Sequence, residues 1–209
     1  MLQNSIFQII FLLFLGYLFG CIQTSYFIGR LKFKVDVKNK GSKNAGASNG
    51  VLLFGWKYGI FIGLIDMLKA YIPILIIFSI YPDDMFLASI TGGGVILGHI
   101  FPFFMGFNGG KGMSSYFGML LAFDLSFGTG VLFIAALLLM ITNYVAISTV
   151  LVLIFVPPII YFMCNSNVYD FNFLLSLSFF SMIIFIKHIE NIYKIYKGNE
   201  KTFWSVFKK

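Results

Sequence analysis

The chain has 209 residues, of which 59% are hydrophobic and only 11% charged, and 27 of them are phenylalanine. Its mean hydropathy of +0.90 excludes an ordinary soluble fold, because there is too little polar surface to cover one. The net charge of +7 then reads as charge at a membrane surface, with lipids as neighbours and no nucleic-acid partner.

Apolar segments near 20 residues with almost no charge are expected to be membrane-spanning helices. The first runs from about residue 5 to residue 29. It is too long for a signal peptide and lacks a basic leading region, so it reads as a span. The next segments cover about residues 55–80, 86–105, 113–123, 127–141, 144–163 and 172–187. The expectation is an all-α polytopic protein of one domain, 1–209, with seven transmembrane helices.

Charge orients these spans. Lys and Arg crowd the first loop, from Arg30 to Lys43, and the tail from Lys187 onward. The loops "YPDD" and "CNSNVYDFN" hold no cation, which suits an outer face. The positive-inside rule places the N-terminus outside and the C-terminus in the cytoplasm, and only an odd number of spans satisfies every loop. Cys21 and Cys164 then fall toward opposite faces, are not expected to pair, and show no metal-ligand spacing.

This topology gathers three unusual loops on the cytoplasmic side, near residues 40–50, 106–112 and 187–200: "KGSKNAGASNG", "GFNGGKG" and "KHIENIYKIYKGNE". Gly lets backbone N–H groups approach a ligand closely, and successive N–H groups make an anion-binding nest. Ser42, Asn44, Ser48 and Asn49 add short donors in the first loop. In the second, Gly109, Gly110 and Gly112 free the backbone around the point charge of Lys111. A P-loop is excluded, because Met113 stands where Ser or Thr would follow. Together the loops point to a phosphate-bearing substrate.

His188 and Asn191 lie three residues apart, on one face of a continuing helix. A neutral His there has the chemistry to accept a hydroxyl proton during acyl transfer. Asp66 and Lys69, also i,i+3, are expected to form a structural ion pair facing the bundle interior. His99 is expected to cap or hydrogen-bond a neighbouring helix.

The ordered set "GSKNAGASNG", "DMLKA", "GHIFPFFMGFNGGKG" and "HIENIYKIYKGNE" resembles the bacterial membrane glycerol-3-phosphate acyltransferases that use acyl phosphate. The resemblance covers roughly residues 16–203. It implies a seven-span fold in the bacterial inner membrane, with the site facing the cytoplasm. The implied reaction moves a fatty acyl group from acyl phosphate to the sn-1 hydroxyl of glycerol 3-phosphate, with no cofactor and no metal. Ser42, Lys43, Asn44, Gly46, Ser48 and Asn49 would form the first site loop, and Gly109, Gly110, Lys111 and Gly112 would hold phosphate. His188 and Asn191 would lie nearest the reacting hydroxyl, with Glu200 bracing the last loop.

The chain departs from the family pattern at several positions. Leu52 and Ile189 stand where Arg is usual, and Asn143 and Ala146 where a basic residue and Ser are common. Cys21 replaces Ser, and Lys43 replaces the second Gly of the first motif. Losing Arg removes a bidentate phosphate contact that Lys does not reproduce. Two other readings remain: a paralogue of the same fold acylating a different acceptor, and a non-catalytic lipid-binding protein or transporter. A transporter would show repeated, broken spans around a midplane polar site. Here the polar motifs gather at one face, and no internal repeat is visible.

Overall fold

The computed structural model describes residues 5–163 and 171–206. Cys164, most of the "CNSNVYDFN" loop and Lys208 and Lys209 lie outside the described residues, and the readings made of them remain expectations.

The first apolar run is one interrupted rod. Helix α1, Ile6–Gly20, starts where Ser5 Oγ accepts from the amide of Gln8 at 3.1 Å, a hydroxyl N-cap. The helix breaks at Cys21–Gln23, restarts as α2, Thr24–Ile28, and widens into a π-helical turn, Gly29–Phe33. Lys34 ends it in the left-handed region. Helix α3, Ala47–Phe54, is short, and Gly55 at φ 84° turns the chain into α4, Trp56–Ile80. Asp84 caps α5, Met85–Ile100, through the amide of Leu87 at 2.9 Å. Then come α6, Met113–Phe123, α7, Leu125–Thr142, α8, Val145–Met163, and α9, Phe171–Tyr196.

Six of these segments are long and apolar enough to cross a membrane: Ile6–Phe33, Trp56–Ile80, Met85–Met105, Leu125–Thr142, Val145–Phe162 and Phe171–Tyr196. The fourth expected segment, residues 113–123, is the shorter apolar helix α6. Helix α6 has 11 residues and rises about 16 Å, roughly half of a ~30 Å hydrocarbon core. The cause is local at both ends. The glycines of residues 109–112 hold the chain out of helix until Met113. Asp124 then starts α7 by accepting from the amide of Phe127 at 2.7 Å.

Helix α5 is the hub of the bundle, packed against α1, α4, α6 and α9. Its contact with α1 is the most extensive between helices, and it is close because both helices present glycine there. A methyl group at Gly94 would strike the carbonyl oxygen of Leu13, and one at Gly98 that of Tyr17. Methyl groups at Gly16 and Gly20 would strike Thr91 and Val95 in return. Small residues let membrane helices approach backbone to backbone, where dispersion contacts hold them. Around this crossing the core is aliphatic and aromatic, with Leu87, Ile96, Met119, Phe173 and Leu177 fully buried. The outward faces carry exposed Phe, Ile and Leu, such as Phe7, Phe133 and Phe179, as a lipid-facing surface requires.

Gly98→Val is therefore expected to abolish folding, because the new side chain meets the α1 backbone at Tyr17 and Cys21, which cannot yield as a flexible side chain would. Gly130→Ala meets open space and is the matched control. Size-exclusion chromatography in detergent reads the outcome. A monodisperse Gly98→Val protein would contradict the close α1–α5 crossing.

Candidate active site

The first two motif loops meet the C-terminal part of α9, which runs as helix through residues 187–196 of the third motif, at one end of the bundle. The first loop is held shut by Asn49, whose side chain is completely buried. Its Oδ1 accepts from the amide of Ser42 at 2.8 Å, and its Nδ2 donates to the carbonyls of Val37 and Lys40, both at 3.2 Å. Gly41, at φ 64°, lies directly against that amide, leaving no room for a Cβ. Asn49 thus organises the loop from inside. Ser42 and Lys43 are exposed, Lys43 at φ 58°, and neither lines the cavity between the loops.

The second loop is tied to the first. The amide of Ala45 donates to Gly109 O at 3.2 Å, and Lys38 Nζ donates to Met105 O at 2.5 Å. The amides of Gly109 and Gly110 donate to Ile100 O and His99 O, at 3.0 and 2.9 Å. They close the end of α5. This corrects the expectation of a free amide nest at these two glycines: the open donors lie one step further on, at the start of α6.

The cavity between the loops holds about 300 Å³. On one side it is lined by Asn44, Gly46, Ala47 and Ser48, which enter α3. On another it is lined by Lys111, Gly112, Met113 and Ser114, which enter α6. The first amides of each helix have no partner within it and carry the positive end of its dipole. Two helix N-termini therefore face one space, with Lys111 the only cation among the lining residues. Much of the remaining lining is apolar: Phe117 of α6, Leu132, Ala135, Ala136 and Leu139 of α7, and Val145 of α8.

Lys111 is the node of a polar chain. Its Nζ donates to Asn191 Oδ1, and Asn191 Nδ2 donates to Glu200 Oε1 at 2.7 Å. Burial lowers the Lys111 pKa from its usual value, while the nearby carboxylates of Glu200 and Glu190 pull it back up. One turn before Asn191, the buried His188 ring places Nδ1 2.8 Å from Ile184 O. A carbonyl only accepts, so Nδ1 holds the proton and Nε2 keeps its lone pair. His188 also lines the cavity.

Beneath the loops lies a buried charged cluster. Lys69 Nζ is 3.0 Å from Asp66 Oδ1 and donates to Gly20 O and Ile22 O, the carbonyls freed by the break after α1. Thr24 Oγ1 donates to Asp66 Oδ1 at 3.1 Å, and Gln23 Nε2 donates to Gly98 O and His99 O. The cluster staples the interrupted first rod to α4 and α5, and His99 joins it through Nδ1, 2.7 Å from Lys69 Nζ.

Of the residues expected from sequence, the structure brings Asn44, Gly46, Ser48, Lys111, Gly112, His188 and His99 to the cavity, with Asn191 and Glu200 behind Lys111. The apolar wall, Ser114 and Thr149 were not anticipated, because nothing in an apolar span marks which face meets a ligand. Ser148 also lines the cavity, with its hydroxyl donating to Ala135 O at 2.6 Å. Among the divergent positions, Leu52, Ala146 and Ile189 are not lining residues. Asn143, in the left-handed region, accepts the amides of Phe203 and Trp204 and so ties down the tail.

The model of the family described as glycerol-3-phosphate acyltransferase matches residues 10–198. A glycerol-3-phosphate acyltransferase of Oceanobacillus iheyensis is 37% identical over 90% of this chain and 91% of its own length. One from Aquifex aeolicus is 31% identical over 93% and 98%. Among solved structures, PlsY (YgiH), an integral membrane glycerol 3-phosphate acyltransferase, superposes in its glycerol 3-phosphate form with a TM-score of 0.86. That chain is 31% identical, with 93% of this chain and 95% of that one covered. Its lysophosphatidic acid form gives 0.83, at 28% identity over 96% and 99%. A multi-pass helical membrane fold, three motif loops around one cavity and these relatives agree: the chain belongs to the glycerol-3-phosphate acyltransferase family.

Proposed function

We propose that the chain transfers a fatty acyl group from acyl phosphate to the sn-1 hydroxyl of glycerol 3-phosphate, giving lysophosphatidic acid and phosphate. The observation that carries this reading is the cavity itself. Two helix N-termini and one lysine suit two phosphate groups, and an apolar wall made by membrane helices suits an acyl chain. The phosphate of the donor would sit at the start of α6 beside Lys111, next to that wall. Glycerol 3-phosphate would sit toward Asn44, Ser48 and the start of α3.

The step needs little covalent help, since phosphate is a good leaving group and positioning supplies most of the rate. His188 Nε2 takes the hydroxyl proton as the oxygen attacks the acyl carbon. The bond from acyl carbon to phosphate oxygen breaks, and the proton passes to the departing phosphate. Asn191 holds Lys111 in place, and Glu200 holds Asn191.

The basic first loop and tail favour a cytoplasmic site in a bacterial inner membrane, with the N-terminus outside. The short α6 and the loop before it would make the seventh passage. The cavity's α3 and α6 entrances and its α9 residues lie at one end of the bundle, which is consistent with that parity.

The test is transfer from palmitoyl phosphate to labelled glycerol 3-phosphate by the purified protein, with palmitoyl thioesters and unphosphorylated glycerol as comparisons. Labelled lysophosphatidic acid from the acyl phosphate alone is expected. Leu52 lies one turn from Ser48 on α3, where Arg would add a phosphate fork. Equal use of unphosphorylated glycerol would therefore sink the acceptor assignment in favour of the paralogue reading.

Lys111 also gives the reaction a pH dependence. Because burial lowers its pKa, it loses its charge at a lower pH than the about 10.4 of an exposed lysine. The value of kcat/KM is expected to fall on the alkaline side below that point. Lys111→Arg, which keeps its charge, should move the fall to higher pH at lower overall activity. An unchanged alkaline limb in that variant would remove Lys111 as its source.

A further inference from the structure

We infer that His99 is a substrate-contacting residue: a neutral ring whose Nε2–H donates a hydrogen bond to the phosphate of the acyl donor. The inference rests on the acyl-phosphate reading above but comes from a different part of the structure.

Lys69 fixes the protons of the buried cluster. Its ammonium has three protons and no lone pair. Every polar atom it meets must therefore accept, with one of the three protons shared between two acceptors: His99 Nδ1 at 2.7 Å, Ile22 O at 2.8 Å, Asp66 Oδ1 at 3.0 Å and Gly20 O at 3.1 Å. The carboxylate of Asp66 balances the charge. Nδ1 of His99 is thereby an acceptor, and a neutral imidazole then carries its proton on Nε2.

The ring that carries this proton lines the cavity. The ring edge bearing Nε2 rests over Gly110, so closely that a Cβ there would fall on the nitrogen. Any residue other than glycine would push the ring away. Gly110 precedes Lys111 and the start of α6, and His99 shares the cavity wall with Lys111 and Gly112. Among the described hydrogen bonds, Nε2 has no protein partner, while Nδ1 is taken. Through Gly110 the ring stands next to Lys111, the residue placed above beside the phosphate of the acyl donor.

The two histidines of the chain thus present opposite tautomers to one space. His188 keeps a lone pair on Nε2, because Nδ1 donates to Ile184 O. His99 keeps a proton on Nε2, because Nδ1 accepts from Lys69. One serves as proton acceptor, the other as a fixed dipole toward developing negative charge. In the transfer step, His99 neither gains nor loses a proton. The electron pair of the breaking carbon–oxygen bond goes to phosphate, and the Nε2–H stabilises it there. A donor aimed in advance at a charge that grows in the transition state affects rate more than ground-state binding.

Two variants separate this role from simple packing. In His99→Gln the carboxamide oxygen takes over from Nδ1 and its NH₂ from Nε2–H. His99→Met fills similar space with no donor. With palmitoyl phosphate varied at saturating glycerol 3-phosphate, His99→Met is expected to lose about 100-fold in kcat/KM, as for one donor removed from an oxyanion site. His99→Gln should stay within about 10-fold, and the KM for glycerol 3-phosphate should be unchanged in both. Equal losses in the two variants, or a loss confined to the KM for glycerol 3-phosphate, would overturn the inference.

A measurement on the unmutated protein keeps the inference testable if His99→Met fails to fold. The sequence holds two histidines, so tag-free protein labelled with ¹⁵N-histidine shows two rings by NMR. One Nε2–H ring and one Nδ1–H ring are expected, with the Nε2–H proton moving downfield as inorganic phosphate is added. Two Nδ1–H rings, or an Nε2–H that ignores phosphate, would contradict the inference. Wild-type protein with no acyl transfer from acyl phosphate would instead strike the functional reading, and the phosphate titration would still decide the role of His99.

Discussion

Lys111→Ala is expected to lower acyl transfer by about 1,000-fold while leaving the protein folded, at the upper end of what one electrostatic contact contributes. The size reflects the charge balance of the cavity. The proposed substrates bring two phosphates, and Lys111 is the only cation among the cavity-lining residues. The remaining positive potential comes from the starts of α3 and α6, each worth about half a charge. The same substitution frees Asn191, whose Oδ1 accepts from Lys111 and whose Nδ2 donates to Glu200. Folding should survive, because Lys111 is on a loop and its removal relieves the desolvation that lowers its pKa.

Glu200→Gln should cost much less than Lys111→Ala, since the amide oxygen still accepts from Asn191. The two are compared by initial rates with palmitoyl phosphate. If Lys111→Ala kept more than a tenth of wild-type activity, the phosphate site would have to be moved elsewhere.

Lys69→Met is expected to be the most damaging single change among the charged residues of the spans, costing about 3–5 kcal/mol of stability. That is the penalty for leaving one member of a buried ion pair without its partner. Asp66 is completely buried, and the ammonium 3.0 Å away is its counter-charge. Lys69 also ties Gly20 O and Ile22 O at the break in the first rod, so Ile22 O loses its donor while Gly20 O keeps only Gln23 Nε2. For about 200 residues this corresponds to a fall in Tm of roughly 10 °C.

The double variant Asp66→Asn with Lys69→Met should recover part of that loss, because the uncompensated charge is gone. Thermal unfolding in detergent measures both. A double variant no more stable than Lys69→Met alone would mean that the carbonyl contacts, and not the ion pair, hold the joint.

Some of the site was legible from neighbouring residues alone. Asp66 and Lys69 stand i,i+3 on α4 and meet there. His188 and Asn191 stand one turn apart on α9 and both face the second loop. Asn49 marks the limit of local reading. As a small polar residue in a glycine-rich loop it had the profile of a ligand donor. Yet its amide is consumed by Ser42, Val37 and Lys40, because the loop doubles back on itself. Gly109 and Gly110 are similar: their amides suited an anion nest, but the end of α5 folds over them and takes both.

Residue order alone makes this a helical, multi-pass membrane chain with three polar loops. Hydrophobicity over about 20 residues is additive and local, and lipid leaves the backbone almost no alternative to helix. The motif spacings carried the family for the same reason, since a loop's residue types are legible without its partners. Which donors remain free was settled by packing instead. Packing set α6 at 11 residues, between a glycine-bound loop and the Asp124 cap. It joined His99 to Lys69 across 30 positions, and it brought side chains of α6, α7 and α8 to the cavity that Lys111 lines. A hydrogen bond has one direction and one partner, and which partner arrives depends on contacts among segments far apart in the chain.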